Sequence, residues 1–383
     1  MKTFIIKLLR KTVFVWLSWF NKLIPHNSCK ILFYTELGFR DNVKALYDYL
    51  VEHSFNQKYT IVVAANDYKN FAHVHLPNVT FVSHWSGYWH YFSAGYVFYC
   101  FGRIPFYPSK RQTVVQLWHG TPFKSPSKDM KENYNEKHLF FTHVLASSNH
   151  LKPVLSGQFA GFPYDKIIVC GQPRNDALFS NHKYDFGEYK KLVVWAPTFR
   201  TSKIMGNDTL EKARLLPIFD VEKLAELNAF LREREMKIIV KLHPMQSIDD
   251  YQLVEMENLL FLSHAEFVRR KMDLYLLLSQ ADALITDYSS IFSDYLLLNR
   301  PIAFTEDDLE EYQHSRGFSV PNIDCYKAGA RIRTEADFYV FIETVLNGSD
   351  CYENARRQAN LLLNDYVDGN ACQRVVQAVG IEK

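Results

Sequence analysis

Short apolar runs recur along this chain, and most of them stop abruptly at a polar or glycine-bearing turn. Runs at 30–34, 59–65, 79–82, 96–99, 113–118, 142–146 and 166–169 read as strands, with a helix at 42–50. After a polar stretch at 180–190 the pattern restarts, with strands at 192–196, 237–242, 259–262, 283–285 and 301–304. Helices are expected at 221–234 and 272–279, and a closing helical segment at 350–379 breaks near Gly369. Strand alternating with helix is the pattern of a doubly wound parallel sheet, and a restart means two such halves. At 383 residues the chain is long enough for two full cores. The expected division is 1–26, an appended helix, then 27–180 and 181–383.

Composition narrows the class. The net charge of +2 does not mark a nucleic-acid binder. Six cysteines without a CxxC pair or zinc spacing read as reduced, mostly buried thiols of a cytosolic protein. Aromatic residues make up 15% of the chain, and those in the dense stretch 85–99 are expected to pack in the core.

The first 26 residues are rich in Phe, Ile, Leu, Val and Trp, but Lys7, Arg10, Lys11 and Lys22 interrupt every run before it can span a bilayer. On a helical wheel the cations fall mostly on one side with Thr3, Ser18 and Asn21. Phe4, Ile5, Leu8, Leu9, Trp16, Leu17, Phe20 and Leu23 fall on the other. That describes a basic amphipathic helix lying in an anionic membrane surface and ended by Pro25. A helix packed on the protein's own core is the competing description.

The chemistry-bearing residues stand at strand ends. The run 113–118 ends in His119, with Gly120, Thr121 and Lys124 following. A histidine there can act as a general base, and glycine lets a ligand approach closely. Lys241, His243 and Pro244 end another run. Arg174, in Pro-Arg-Asn-Asp, and Thr198 and Arg200, in Pro-Thr-Phe-Arg, each follow a run and supply donors for phosphate oxygens. The run 283–285 leads into Thr286, Asp287, Tyr288, Ser289 and Ser290 before a second apolar stretch, with Asp294 between them. Ser289 or Ser290 stands where a helix N-cap would, beside backbone N–H groups that favour an anion. Each residue alone has an ordinary structural explanation: a hydrogen-bonded histidine, a solvated arginine, a capping carboxylate. A Gly-x-Gly-x-x-Gly after the first strand, a Walker loop, an Asp-x-Asp pair and a Gly-x-Ser-x-Gly elbow are all absent from the sequence.

Their order carries more than any one of them. Gln116-Leu117-Trp118-His119-Gly120-Thr121-Pro122-Phe123-Lys124, Gly171-Gln172-Pro173-Arg174-Asn175-Asp176, Ala196-Pro197-Thr198-Phe199-Arg200, Lys241-Leu242-His243-Pro244, Thr286-Asp287-Tyr288-Ser289-Ser290 through Asp294, and Arg316-Gly317-Phe318 follow one another. This series resembles the CDP-glycerol glycerophosphotransferase family of teichoic-acid and capsule synthesis. The resemblance implies a GT-B fold, two Rossmann-like domains facing across a cleft, with the acceptor on the N-terminal side and the CDP donor on the C-terminal side. It implies transfer of glycerol phosphate from CDP-glycerol to a lipid-linked saccharide or polyol-phosphate acceptor, with release of CMP. Members work as peripheral proteins on the cytoplasmic membrane face.

Carried onto this sequence, the resemblance implies that His119 is the acceptor-activating base and His243 steadies the leaving CMP. It makes Ser289 and Ser290 the diphosphate cradle, Arg200 a phosphate ligand and Asp294 a ribose ligand. No metal-binding motif is visible, although a diphosphate donor can bring Mg²⁺ with it. The family's Pro-Gly-Pro turn is replaced here by Tyr326-Lys327-Ala328-Gly329-Ala330, and Ser293 stands where an aromatic is usual. Those departures leave CDP-ribitol open as a donor. A GT-B glycosyltransferase using a nucleotide sugar and a catalytically silent scaffold also stay open. The length fits a single-module enzyme, as a primase adding one unit would be.

Overall fold

The strands that the sequence breaks into short apolar runs form two parallel sheets. The computed structural model describes residues 13–100, 104–123, 140–197, 216–242, 256–306, 318–320 and 322–383. Within them the chain divides into two units: 13–122, 140–176 and 363–383 form the first, and Phe123 with 177–362 the second.

The first unit's sheet has β1 (Asn27–Thr35), β2 (Thr60–Ala65), β3 (Val79–Ser83), β4 (Ala94–Tyr99), β5 (Thr113–Gln116), β6 (His143–Ala146) and β7 (Ile167–Val169). Their order is β3-β2-β1-β4-β5-β6-β7, all parallel. Side chains alternate across a strand, so each run supplies two cores. Ile31, Phe33, Ile61, Val63, Phe98 and Val115 point to one face, under the helix Asp41–Glu52. Leu32, Tyr34, Val62, Ala64, Val97 and Tyr99 point to the other, under the helices His84–Tyr91 and Lys152–Gln158. Gly87 lets the first of these lie close on the sheet: a Cβ there would stand 2.5 Å from that of Ala64.

The second sheet has β8 (Lys191–Trp195), β9 (Met236–Lys241), β10 (Leu259–Leu262), β11 (Ala283–Thr286), β12 (Ile302–Thr305) and β13 (Ala330–Ile332), in the order β10-β9-β8-β11-β12-β13. All its pairs are parallel too. Val193, Trp195, Ile238, Val240 and Ile285 bury against the helices Leu224–Glu233 and Glu335–Asn347. Both sheets reverse direction of winding beside their first strand, at β1/β4 and at β8/β11. That is where α/β sheets of this order bind ligands.

Four sequence expectations need correction. The closing segment does not stay with the second half. Ala371–Ala378 packs Cys372, Val375 and Val376 into the first unit's core. The Asp176 carboxylate caps that helix, accepting from the Ala371 and Cys372 N–H groups at 2.8 Å each. Arg374 adds a bond to the Cys170 carbonyl at 3.0 Å. Second, the aromatics of 85–99 are not all core: Tyr91 and Phe92 are buried, while Trp85 and Trp89 are 67% and 78% exposed. Third, only Cys100, Cys170 and Cys372 are buried, and Cys325 and Cys351 are exposed.

The fourth concerns the first helix, described over Val13–Asn21; residues 1–12 lie outside the described residues. Two members of its expected polar side, Ser18 and Asn21, are not in water. Ser18 is buried and accepts from the Tyr107 N–H at 2.9 Å. Asn21, also buried, donates to the Tyr107 carbonyl at 3.0 Å and to Gln112 Oε1 at 2.7 Å. Phe14 meets Phe106 edge-on at 5.7 Å. The helix thus packs on the protein through a polar seam and leaves Trp16, Trp19, Phe20 and Leu23 exposed. Among the described residues no helix is long and apolar enough to cross a membrane.

Replacing Asp176 with Ala uncaps Ala371–Ala378 and orphans two backbone donors. Loss of an N-cap costs about 0.5–2 kcal/mol. Urea unfolding of Asp176→Ala is expected to show a lower midpoint by that amount, whereas Glu353→Ala, an exposed side chain on the preceding helix, is expected to leave it within error.

Candidate active site

In the first unit the candidate residues gather where β1, β5 and β7 end, and one side chain organises them. Asn42 opens the helix after β1 and is fully buried. Its Nδ2 donates to the carbonyls of Leu117 (3.2 Å) and Trp118 (3.0 Å) and to Gln172 Oε1 (2.6 Å). Its Oδ1 accepts from the Arg174 N–H at 3.1 Å. One amide so ties together the turns after three strands. Its neighbour Asp41 adopts a left-handed backbone (φ 63) and receives both carboxylate bonds from Arg174 Nη1, at 2.9 and 2.8 Å. Arg174 is therefore buried as a strut of this knot, ion-paired rather than solvated.

The knot sets the pose of His119. Gln116 Oε1 accepts from the Trp118 N–H at 3.0 Å, bending the chain back as β5 ends. Trp118 takes φ 56, unusual for a bulky residue and costing about 1–2 kcal/mol, and Gly120 takes φ 123. Between these two left-handed positions His119 is thrust outward and exposed. Its ring stacks on Trp118 (4.5 Å between centroids, 25°), and Trp118 is itself held edge-on by Phe159 at 5.0 Å. An exposed imidazole braced by the Trp118 ring is suited to taking a proton from a substrate hydroxyl. Thr121 is buried beside it, and Gly120 is buried too. Lys124 lies outside the described residues. Phe123 belongs to the second unit, its ring stacked on Phe292 at 5.2 Å and 7°.

In the second unit three motif-bearing strand ends stand side by side, since β9, β8 and β11 are adjacent. β9 ends in Lys241, whose Nζ donates to the Leu242 carbonyl at 2.6 Å and lies 4.8 Å over the Phe267 ring. His243 and Pro244, next along, lie outside the described residues, as do Thr198 and Arg200 after β8. β8 and β11 are laced at their ends. The Ala196 N–H donates to the Ile285 carbonyl at 2.9 Å, and Thr286 Oγ1 returns a bond to the Ala196 carbonyl at 2.9 Å.

The turn after β11 is more self-contained than the sequence suggests. Asp287 is fully buried and accepts from the Tyr288 N–H at 2.6 Å. Ser290 stands at the start of the helix Ile291–Tyr295, but in helical conformation and without capping it through its side chain. Ser289 Oγ makes the longer bond to the Ile291 N–H, at 3.4 Å. Both serines are half-buried. Asp294 is buried and accepts from the Tyr275 hydroxyl at 2.7 Å, so its carboxylate braces this helix from inside.

A cluster that the motifs did not single out adjoins this turn. Glu306 follows β12 and is ion-paired with Lys327; both side chains are buried. Arg331 and Arg333 approach the same carboxylate at 3.4 and 3.6 Å, and Asp324 meets Arg331 at 3.2 Å. Three cations thus face two carboxylates. The Lys327 ammonium lies 5.5 Å over the Tyr288 ring and 4.8 Å over Phe304. Burial draws Lys327 below the usual lysine range, against the pull of Glu306. Asn42 is equally unmarked in sequence: a lone Asn at a helix start reads as an ordinary cap. Glu306 has the same position after β12 that Asp287 has after β11, which is the signal that points to it. Among the described residues no group of three or more His, Cys, Asp or Glu could hold a metal ion.

Comparison with known proteins gives the family and the fold. The model of the CDP-glycerol:poly(glycerophosphate) glycerophosphotransferase family matches residues 17–380. A teichoic acid glycerol-phosphate transferase of Staphylococcus aureus (strain NCTC 8325 / PS 47) is 27% identical, over 99% of each chain. A teichoic acid poly(glycerol phosphate) polymerase of Bacillus spizizenii (strain ATCC 23059 / NRRL B-14472 / W23) is 26% identical, over 77% of this chain and 78% of its own. In fold the chain is similar to the wall teichoic acid polymerase TagF, with a TM-score of 0.72 and 21% identity over 93% of this chain and 89% of that one.

Two substitutions test the geometry. Asn42→Ala leaves buried partners unmatched at about 1–3 kcal/mol each, and a misplacement of about 1 Å costs roughly 10²-fold in rate. The variant is expected to be less stable in thermal unfolding and to lose kcat more than donor KM. Lys327→Met leaves Glu306 buried without its main partner, a loss of about 3–5 kcal/mol. A lowered melting temperature is expected, partly restored in Glu306→Gln/Lys327→Met, where the stranded charge is gone.

Proposed function

The chain belongs to the CDP-glycerol:poly(glycerophosphate) glycerophosphotransferase family, and on that premise we propose how it works. It transfers a glycerol-phosphate unit from CDP-glycerol to a hydroxyl of an acceptor in teichoic acid synthesis. The acceptor is a lipid-linked saccharide or polyol phosphate. The enzyme is peripheral on the cytoplasmic membrane face, held through the segment 1–26.

His119 takes the proton of the acceptor hydroxyl. The oxygen attacks the phosphorus that bears glycerol, a new P–O bond forms, and the bond to the oxygen bridging to CMP breaks. CMP departs with that oxygen and its electron pair. His243 and Lys241 meet the charge that gathers on the leaving phosphate, and Ser289 and Ser290 hold the diphosphate. Arg200 and Thr198 serve as further phosphate donors, and Asp287 and Asp294 shape the donor side. Arg174 acts through Asp41 and Asn42, keeping the His119 turn in place. Phosphoryl transfer asks for positioning and charge stabilisation rather than covalent help, and such donors suffice for both.

One observation carries the proposal: β9, β8 and β11 are adjacent, so three of the family's motifs start from neighbouring strand ends. The experiment is CMP release from CDP-glycerol with a polyol-phosphate acceptor. Wild type is expected to release CMP only with acceptor present. His119→Ala and His243→Ala are expected to lose about 10²–10³ in kcat, the usual loss for one such group. Release from CDP-ribitol or a nucleotide sugar, with none from CDP-glycerol, would replace the donor.

A further inference from the structure

We propose that the helix His84–Tyr91 is a second membrane-docking element. With the helix Val13–Asn21 it forms one indole-rich, cation-fringed face fitted to an anionic lipid surface. This rests on the peripheral placement above and adds to it a surface that the N-terminal segment alone does not contain.

The tryptophans mark the face. Trp118 and Trp195 are buried, and the other four of the six are exposed. Trp16 (77%) and Trp19 (65%) lie on the first helix; Trp85 (67%) and Trp89 (78%) lie on the second. Exposed indoles gathered on two elements are costly in water and suit the headgroup region, where the ring is apolar and the N–H is wet. The two helices share a seat. Phe106 is met edge-on by Phe14 from one, at 5.7 Å, and by Tyr88 from the other, at 5.4 Å. Neither helix can roll its indoles inward. Ser18 and Asn21 fix the first by buried hydrogen bonds, and Gly87, tight against Ala64, fixes the second.

Charge identifies the occupant. Residues 1–35 and 68–128 contain twelve Lys and Arg and no Asp or Glu, leaving 32 cations against 42 acids in the remainder. The near-neutral total conceals this division. One cation borders an indole directly, and others stand exposed on the turn that seats the first helix. Lys22 lies 4.9 Å over the Trp19 ring. Lys110 and Arg111 are exposed on the turn whose Tyr107 and Gln112 hold Ser18 and Asn21. A second copy of the chain would set these cations against one another across a two-fold axis. Anionic phospholipid attracts them at about a tenfold gain or less per residue.

The test is co-sedimentation of the full chain with vesicles of phosphatidylcholine, alone or mixed with phosphatidylglycerol. Wild type is expected to bind the mixed vesicles. Trp85→Ala/Trp89→Ala is expected to bind them at least about tenfold more weakly. Lys110→Ala/Arg111→Ala is expected to lose about thirtyfold on mixed vesicles and little on neutral ones. Both variants should keep the wild-type melting temperature and CMP release with a water-soluble acceptor. Equal binding by Trp85→Ala/Trp89→Ala and wild type would overturn the second element while sparing the first. Failure of wild type to bind any vesicle would overturn both, and CMP release would still stand by itself. A wild-type dimer dissolved by the tryptophan substitutions, with vesicle binding unaltered, would give the face to a second copy and overturn the proposal.

Discussion

One buried amide holds the first unit's working end together. A parallel sheet delivers its strand ends to one edge, but it does not fix the loops that follow them. In this chain the loops after β1, β5 and β7 would otherwise be independent, and Asn42 makes them one body through four hydrogen bonds. Only a side chain with both donors and an acceptor can join two carbonyls, an amide oxygen and a backbone N–H at once. Because it is fully buried, each of its bonds is expensive to lose. That leverage is what supports Trp118 at φ 56 and so presents His119 to solvent.

The second unit solves the same problem by direct lacing. Ala196 donates to the Ile285 carbonyl and accepts from Thr286 Oγ1 at the reversal of strand order, while Asp287 and Asp294 are spent on the turn and helix that follow. The serines of that turn are then presented by a rigid frame rather than by a long helix, since only five residues follow in helical form before the chain tightens. Beside it the Glu306–Lys327 pair is buried at a cost that hydrophobic residues would not incur. Arg331 and Arg333 share the same carboxylate, so the buried charge is spread over three cations.

The sequence made the sheets legible because strands in a doubly wound fold are continuous apolar runs, and the runs at 59–65, 259–262 and 301–304 match β2, β10 and β12 to within a residue. It hid what depends on distant partners. β13 is three residues with an arginine in the middle, and it exists because Gly329 lets the chain pass close to the Ile302 carbonyl, where a Cβ would stand at 2.2 Å. The helix Glu335–Asn347 carries its own signals, a Thr334–Asp337 capping box and Gly348 as a left-handed stop, although the longer closing segment overshadows them. Ala371–Ala378 has the right pattern for a helix, but nothing local says that it returns to the first unit. Asp176, nearly two hundred residues earlier, decides that. Of the site, the histidine and serine motifs were visible as strand ends, while Asn42, Glu306 and Lys327 were not, because their importance comes from burial.

The exposed tryptophans complete the physical picture. An aromatic-rich run is ambiguous in sequence, since the same residues serve a core or an interface. The structure divides the run 84–92 by turn: Tyr88, Tyr91 and Phe92 meet Phe106, and Trp85 and Trp89 face away. The helix Val13–Asn21 makes the same division with the opposite economy, turning its polar Ser18 and Asn21 inward and its indoles outward. An isolated amphipathic helix cannot be oriented that way in water, because the Asn21 amide would be buried without partners, although Ser18 Oγ pairs with the Phe14 carbonyl. The Tyr107–Gln112 turn supplies those partners, so the outward indoles are a consequence of a built seat and not of a loosely attached segment. Fixed seating of both helices therefore gives the four exposed indoles set positions on the first unit's surface.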